Sequence, residues 1–161
     1  GVALGLRLLL QSFPKAVAAT GFSQPKLMMV VLFVTVAISA LPCGQLATKL
    51  GNRTAMAIGF IGLIAAIGMT AVLGTPGIAV VVAIAIGIAF SLVSNGTLPY
   101  ALSMVPPAKA GLGTGLYFSG GALAMSVLSS VDVANLNLTV SLSIAAVGFA
   151  AAAGCVLAKQ P

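Results

Sequence analysis

The sequence predicts an all-α polytopic membrane protein, and two observations carry that prediction. Of the 161 residues, 60% are hydrophobic and only 5% are charged, whereas a soluble domain carries about 25% charged residues. Five stretches that could cross a membrane also contain no charged residue. A helix of roughly 20 apolar residues spans the bilayer core of about 30 Å. We therefore expect a helix bundle of about five complete transmembrane helices, together with the end of a preceding one.

The first segment of the chain differs from the rest. Residues 1–10 are apolar but are interrupted by Arg7, which is typical of the last turns of a helix. Residues 11–26 contain two prolines and a glycine, and this composition predicts a loop on the outer side of the membrane. The sequence thus divides into residues 1–26, a helix end and outside loop, and residues 27–161, a five-helix transmembrane half-bundle.

The five predicted spans follow one another through short turns that contain cations or helix-breaking residues. They cover residues 27–47, 54–74, 78–105, 111–131 and 136–158. Cations stand in the turn after the first span, in the turn after the third and at the end of the last: Lys49, Arg53, Lys109 and Lys159. Short loops rich in Lys and Arg stay in the cytoplasm. We therefore expect the Lys49/Arg53 loop and the Lys109 loop of this multi-pass protein to be cytoplasmic.

The inventory of chemical groups excludes most kinds of catalytic and metal site. The chain has no His, a single acid at Asp132, and two cysteines far apart in sequence. Paired carboxylates and Ser/His/Asp arrangements cannot be formed from it, and a zinc or haem site of the usual kind lacks ligands. We predict no enzyme activity, no metal and no cofactor. The net charge of +6 comes from scattered cations and not from a basic stripe, so we expect no nucleic-acid partner.

A basic, glycine-containing turn lies between the first two spans. Its characteristic residues are Gly44, Leu46, Lys49, Gly51 and Arg53. This pattern resembles the inside-loop motif of the major facilitator superfamily, Gly-x-Leu-Ala-Asp-Arg-x-Gly-Arg-Arg, with Lys49 in place of the first arginine. Thr48 stands where that family has an acid, which favours the more degenerate copy between the eighth and ninth helices. Without the resemblance, the same residues form a basic turn that obeys the positive-inside rule.

A second stretch, residues 98–116, is similar to the tenth helix, inside loop and eleventh helix of the same superfamily, and most of all to its sugar–cation symporter branch. The resemblance covers residues 27–159 as helices eight to twelve of a twelve-helix carrier, with residues 1–10 as the end of helix seven. It implies the carboxy-terminal half of a secondary transporter of a small solute, working by alternating access. The implied partners are the lipid bilayer and the missing amino-terminal half of the same protein.

The alternative is a non-transporting integral membrane protein. It would be a scaffold, an assembly factor or a subunit packed in a larger membrane complex, because a fold does not establish a function. Such a protein would carry the same few charges and the same small residues for helix packing. Solute binding by the full-length protein would separate the two.

A polar stretch in the third span is the candidate transport path. Ser91, Ser94 and Asn95 are spaced i, i+3 and i+4 and so share one helical face. Pro99 cannot donate a hydrogen bond to the carbonyl of Asn95, which predicts a broken helix. Polar or broken helix at membrane depth is tolerated against protein or a water-filled cavity. Two interpretations are open, a lining of the transport path and hydrogen bonding between helices.

The fourth span carries small residues at intervals of four. Gly111, Gly115 and Ser119 recur at a spacing that lets helix backbones approach closely in a membrane, so we predict that they pack against another helix. The glycines lack the lysine and the spacing of a phosphate-binding loop. On the same span, Tyr117 is predicted to anchor the helix at the membrane interface.

Overall fold

The computed structural model describes residues 1–130 and 135–158, so Asp132 and Lys159 lie outside the described residues. The described part contains six α-helices: α1 Val2–Ala19, α2 Pro25–Leu50, α3 Asn52–Ala71, α4 Pro76–Ser103, α5 Ala110–Ser129 and α6 Leu138–Leu157. A short 3-10 helix, Pro107–Lys109, precedes α5. All six α-helices are long and apolar enough to cross a membrane. The all-α prediction is confirmed, and the chain is an integral, multi-pass membrane protein.

The first helix is longer than predicted. α1 continues through Pro14, and only residues 20–24 connect it to α2, so the loop predicted over residues 11–26 is wrong. An internal proline removes one backbone hydrogen bond, which neighbouring helices compensate in a membrane protein. Phe13 and Val17, on either side of Pro14, are fully buried against the rest of the bundle. This packing holds the segment helical, and the described chain therefore has six spans where the sequence predicted five and a helix end.

The connection between α2 and α3 is shorter than predicted. Gly51 alone separates the two helices, with φ at +85°, a conformation that glycine adopts without steric cost. Lys49 lies in the last turn of α2 and Arg53 in the first turn of α3. The predicted polar turn of about six residues is thus mostly helical. Lys49 at this end of α2 is favourable, because cations complement the negative end of a helix dipole.

α4 is the central helix and packs against both α2 and α3. Glycine makes each of these interfaces close. A Cβ added to Gly59 of α3 would lie 2.7 Å from Cγ2 of Val93 on α4, and one added to Gly87 of α4 would lie 2.8 Å from Cβ of Thr35 on α2. Small residues that allow such approach are the usual means of helix association in membranes. α2, α3 and α4 therefore form a tightly packed layer.

α6 closes the bundle by packing against α1 and α3. Phe149 of α6 is fully buried, lies against Gly5 of α1, and stacks at a tilt on Phe60 of α3, with ring centroids 6.3 Å apart. α5 is different, because Gly113 is the only buried residue along it. It rests at the edge of the bundle, on α1 and α4.

Candidate functional site

A cavity of about 460 Å³ lies between α1, α4 and α5, within the range of small-molecule sites. Its apolar walls come from all three helices and include Val2, Leu6, Phe90 and Phe118. Its polar groups are the hydroxyls of Ser94, Thr97 and Tyr117. No charged side chain from the described part of the protein lines it. The arrangement suits a small molecule with an apolar body and hydrogen-bonding groups.

The four residues of the predicted path have different surroundings. Ser94 is exposed in the cavity wall, whereas Ser91 is buried. The side-chain amide of Asn95 donates to the carbonyl oxygen of Ala40 on α2, at 3.3 Å, and to that of Ser91, at 2.9 Å. Pro99 is exposed, and α4 runs through it without interruption, so the predicted break is wrong. Only Ser94 of the four lines the cavity, and Asn95 ties α4 to α2.

Two further hydroxyls complete the polar side of the cavity. Those of Thr97 and Tyr117 lie 3.1 Å apart and join α4 to α5. The Thr97 hydroxyl also donates to the carbonyl oxygen of Ser94, at 3.1 Å. Thr97 was not predicted as a site residue, although its position three residues after Ser94 puts both on neighbouring turns of one face. Tyr117 was predicted only as an interfacial anchor, and its contact with Thr97 depends on how α5 packs.

The basic motif contributes to the ends of two helices. The guanidinium of Arg53 donates to the carbonyl oxygen of Leu157, and to that of Ala158 at 3.4 Å, where α6 ends. The last carbonyls of a helix have no partner within the helix, and a cation there is also favoured by the helix dipole. Arg53 therefore caps α6 and links it to the α2–α3 junction.

The other motif residues divide between packing and exposure. Gly44 faces Asn95, because a Cβ on this glycine would lie 3.5 Å from the amide oxygen of Asn95. Gly51 forms the junction itself. Leu46 and Lys49 are exposed on the last turns of α2. The motif thus lies where α2 ends and α3 begins, and Asn52 beside it meets α4 at Gly96, between the cavity residues Ser94 and Thr97.

The small residues of α5 do not make the packing contact that the sequence predicted. Gly111, Gly115 and Ser119 are exposed, and a Cβ added to either glycine would meet no atom of the described chain within 4 Å. Gly113 packs instead, with its added Cβ 2.7 Å from Cγ2 of Val105. Residues two apart are about 200° apart around a helix. The predicted stripe therefore lies on the side of α5 away from the bundle.

Comparisons of the chain with protein-family models, with curated proteins and with solved structures found no match. The superfamily resemblance therefore rests on the motif residues alone. The cavity between α1, α4 and α5 is therefore the structural basis for a proposed function.

Proposed function

We propose that this chain is part of a secondary membrane transporter for a small solute, the carboxy-terminal half of a carrier of the major facilitator type that works by alternating access. The observation that carries the proposal is the cavity between α1, α4 and α5, with its three hydroxyl groups. Binding sites of such carriers lie near the middle of the membrane, between packed helices. The resemblance of the basic motif to the superfamily pattern is a separate support.

The position of Ser94 strengthens the argument. It lies nine residues before the end of α4 and lines the cavity, two residues before Gly96, which packs against Asn52 at the start of α3. Its hydroxyl makes no hydrogen bond with any residue in the described ranges. An unpaired hydroxyl in a membrane helix is costly unless water, protein or a ligand satisfies it. A solute in the cavity would supply the missing partner.

In alternating access, a rigid group of helices moves against the rest of the protein. The packing of this chain supports such a division. α2, α3 and α4 are joined by close glycine contacts and move most readily as one body. α5 carries one buried residue and is held to α4 by the Thr97–Tyr117 hydrogen bond. In the proposed transporter, the packed layer rocks against the other half, and α5 adjusts at the side of the cavity.

The test is uptake by the full-length protein in liposomes, with a panel of labelled sugars, amino acids, carboxylates and phosphate esters. Ser94→Phe fills the cavity and should lower uptake per folded molecule by at least about tenfold, equivalent to roughly 1.4 kcal/mol. The matched control is Ile38→Phe on α2, where the side chain is 73% exposed away from the bundle. Normal uptake by a folded Ser94→Phe protein would contradict the proposal.

A second candidate function is a non-transporting scaffold or assembly subunit. The observation in its favour is the exposed stripe of Gly111, Gly115 and Ser119, since small residues in membranes commonly meet another helix. Under this alternative, the full-length protein takes up no member of the panel and is purified with a stoichiometric membrane partner. Loss of that partner in Gly115→Leu, with a folded protein remaining, would support the scaffold function.

A further inference from the structure

Arg7 places a permanent charge deep in the membrane. It lies twelve residues before the end of α1, about 18 Å along the helix and more than half of a core of about 30 Å. Gly5, one half-turn earlier, packs against the ring of Phe149, which lies near the middle of α6. Both relations put Arg7 close to the centre of the bilayer. Its apolar neighbours in the sequence do not shield its charge.

The side chain of Arg7 has no counter-charge in the described structure. It is exposed, and it makes no ion pair or hydrogen bond with any residue of 1–130 or 135–158. The sequence contains one acid in all, against seven cations. Arginines at membrane depth almost always face a water-filled cavity or a charged partner. The group that neutralises Arg7 is therefore not among the residues that the structure describes.

The face of α1 that carries Arg7 borders the cavity. Ala3, one turn before Arg7, and Leu6, the residue beside it, both line the cavity wall. Gln11 follows one turn after Arg7 on the same side. Its amide likewise has no hydrogen-bond partner among the described residues. Arg7 and Gln11 do not line the cavity themselves, but they place hydrogen-bond donors on the face of α1 that borders it at Ala3.

We propose that Arg7 binds an anionic solute, of the carboxylate, phosphate or sulfate class, on the face of α1 that borders the cavity. The inference rests on the proposed transport function and specifies its substrate class. A guanidinium stays protonated and presents planar N–H donors that match the oxygen atoms of these anions. The Gln11 amide can add a donor one turn away. A cationic solute would be repelled by Arg7, and a neutral one would leave its charge uncompensated.

The experiment measures charge selectivity beside Arg7. In the full-length protein with Cys43→Ala and Cys155→Ala, the substitution Ala3→Cys introduces a thiol in the cavity wall, one turn from Arg7. Two water-soluble reagents of similar size then compete, the anionic sulfonatoethyl and the cationic trimethylammonioethyl methanethiosulfonate. The sulfonate is itself an anion of the proposed class. Each rate is divided by the rate with a free thiol in solution.

We expect the anionic reagent to react faster, and Arg7→Gln to lower the anionic-to-cationic ratio to about one, a change on the order of tenfold. Arg7→Lys should keep most of the preference, and Lys49→Gln, which removes an exposed cation elsewhere, should leave it unchanged. Ile38→Cys on the exposed apolar face of α2 is the control for a position covered by lipid. Monodispersity in detergent identifies any variant that fails to fold. Arg7→Lys and Arg7→Gln are compared by how much of the anionic-to-cationic ratio each retains.

The contrary outcomes are distinguishable. Equal reaction of both reagents, with or without Arg7, would overturn the anion inference and leave a water-filled path in place. Absence of reaction at Ala3→Cys would overturn the path as well, and with it the proposed function. A ratio of one in the parent protein that falls below one in Arg7→Gln would show that Arg7 is paired with a carboxylate of another polypeptide, and would overturn the proposal in favour of that pairing.

Discussion

At the level of single residues, adjacent polar side chains of α4 have separate roles. Asn95 reaches the carbonyl oxygen of Ala40 on α2, and Ser94, one position earlier, opens into the cavity. Of the two interpretations of this polar stretch, hydrogen bonding between helices therefore fits Asn95, and the path fits Ser94. A substitution at Asn95 should therefore affect mainly stability, and a substitution at Ser94 should affect mainly transport.

Asn95→Leu should destabilise the protein and leave its transport rate per folded molecule nearly unchanged. Hydrogen bonds between membrane helices contribute about 0.6 kcal/mol on average and at most about 1.7 kcal/mol. Folded yield and uptake are measured on the same sample. Ser94→Ala, at the neighbouring position, is the variant with which Asn95→Leu is compared. A folded Asn95→Leu protein that has lost uptake would return Asn95 to the transport path.

Arg53→Gln should loosen the end of α6. The guanidinium satisfies carbonyl oxygens of Leu157 and Ala158, and cations at a helix end contribute about 0.3–1 kcal/mol when exposed. Hydrogen exchange of the last turn of α6 should become roughly two- to fivefold faster, by the corresponding Boltzmann factor. Lys49→Gln, which removes a cation with no such contact in the described residues, should not change it. Equal protection in the two variants would contradict the capping role.

Among the helices, interface glycines determine which contacts are tight. Gly87→Ala should lower stability, because its new methyl group would lie 2.8 Å from Cβ of Thr35 and 2.9 Å from the carbonyl oxygen of Leu32. Overpacking of this kind costs about 1–3 kcal/mol. Gly68→Ala on α3 is the matched control, since no atom lies within 4 Å of the added carbon. Thermal unfolding in detergent measures both, and an unchanged melting temperature for Gly87→Ala would contradict the close interface.

The helix positions could be predicted from sequence better than the faces they present. The second predicted span, residues 54–74, corresponds to α3, Asn52–Ala71, because uncharged stretches bounded by turns and cations mark the spans directly. The stripe of Gly111 and Gly115, predicted to pack against another helix, meets no helix of the described chain. Both sides of a membrane helix are apolar, so hydrophobic periodicity does not reveal which side faces the bundle. The helix around Pro14 was predicted as a loop for a related reason, since the burial of the neighbouring residues is a tertiary effect.

At the scale of the whole molecule, the cavity could not be predicted as a site. It requires α1, α4 and α5 to meet, and of its polar residues only Ser94 was predicted to line a path. Its α1 wall comes from the first six residues of the chain, which the sequence predicted as a helix end without indicating what they contact. The membrane character was predictable because it follows from composition, and composition does not depend on how the helices are arranged.

The positive-inside rule gives a testable orientation for the whole chain. Thr48→Cys, exposed beside Lys49, should react with a membrane-impermeant thiol reagent only from the cytoplasmic side. Gly77→Cys, exposed in the first turn of α4, should react only from the opposite side. The background carries Cys43→Ala and Cys155→Ala in both cases. The reverse pattern would invert the orientation of every helix.

The packing of α1 on α6 also has a consequence for biosynthesis. α1 is made before α6, and the helix that covers its Gly5 face is completed about 140 residues later, which takes a ribosome roughly 10–30 s. During that interval α1, which carries Arg7, must be held by the insertion machinery or by a chaperone. A nascent chain that stops after residue 130 should be recognised as incomplete and degraded by membrane proteases well before a chain that contains α6.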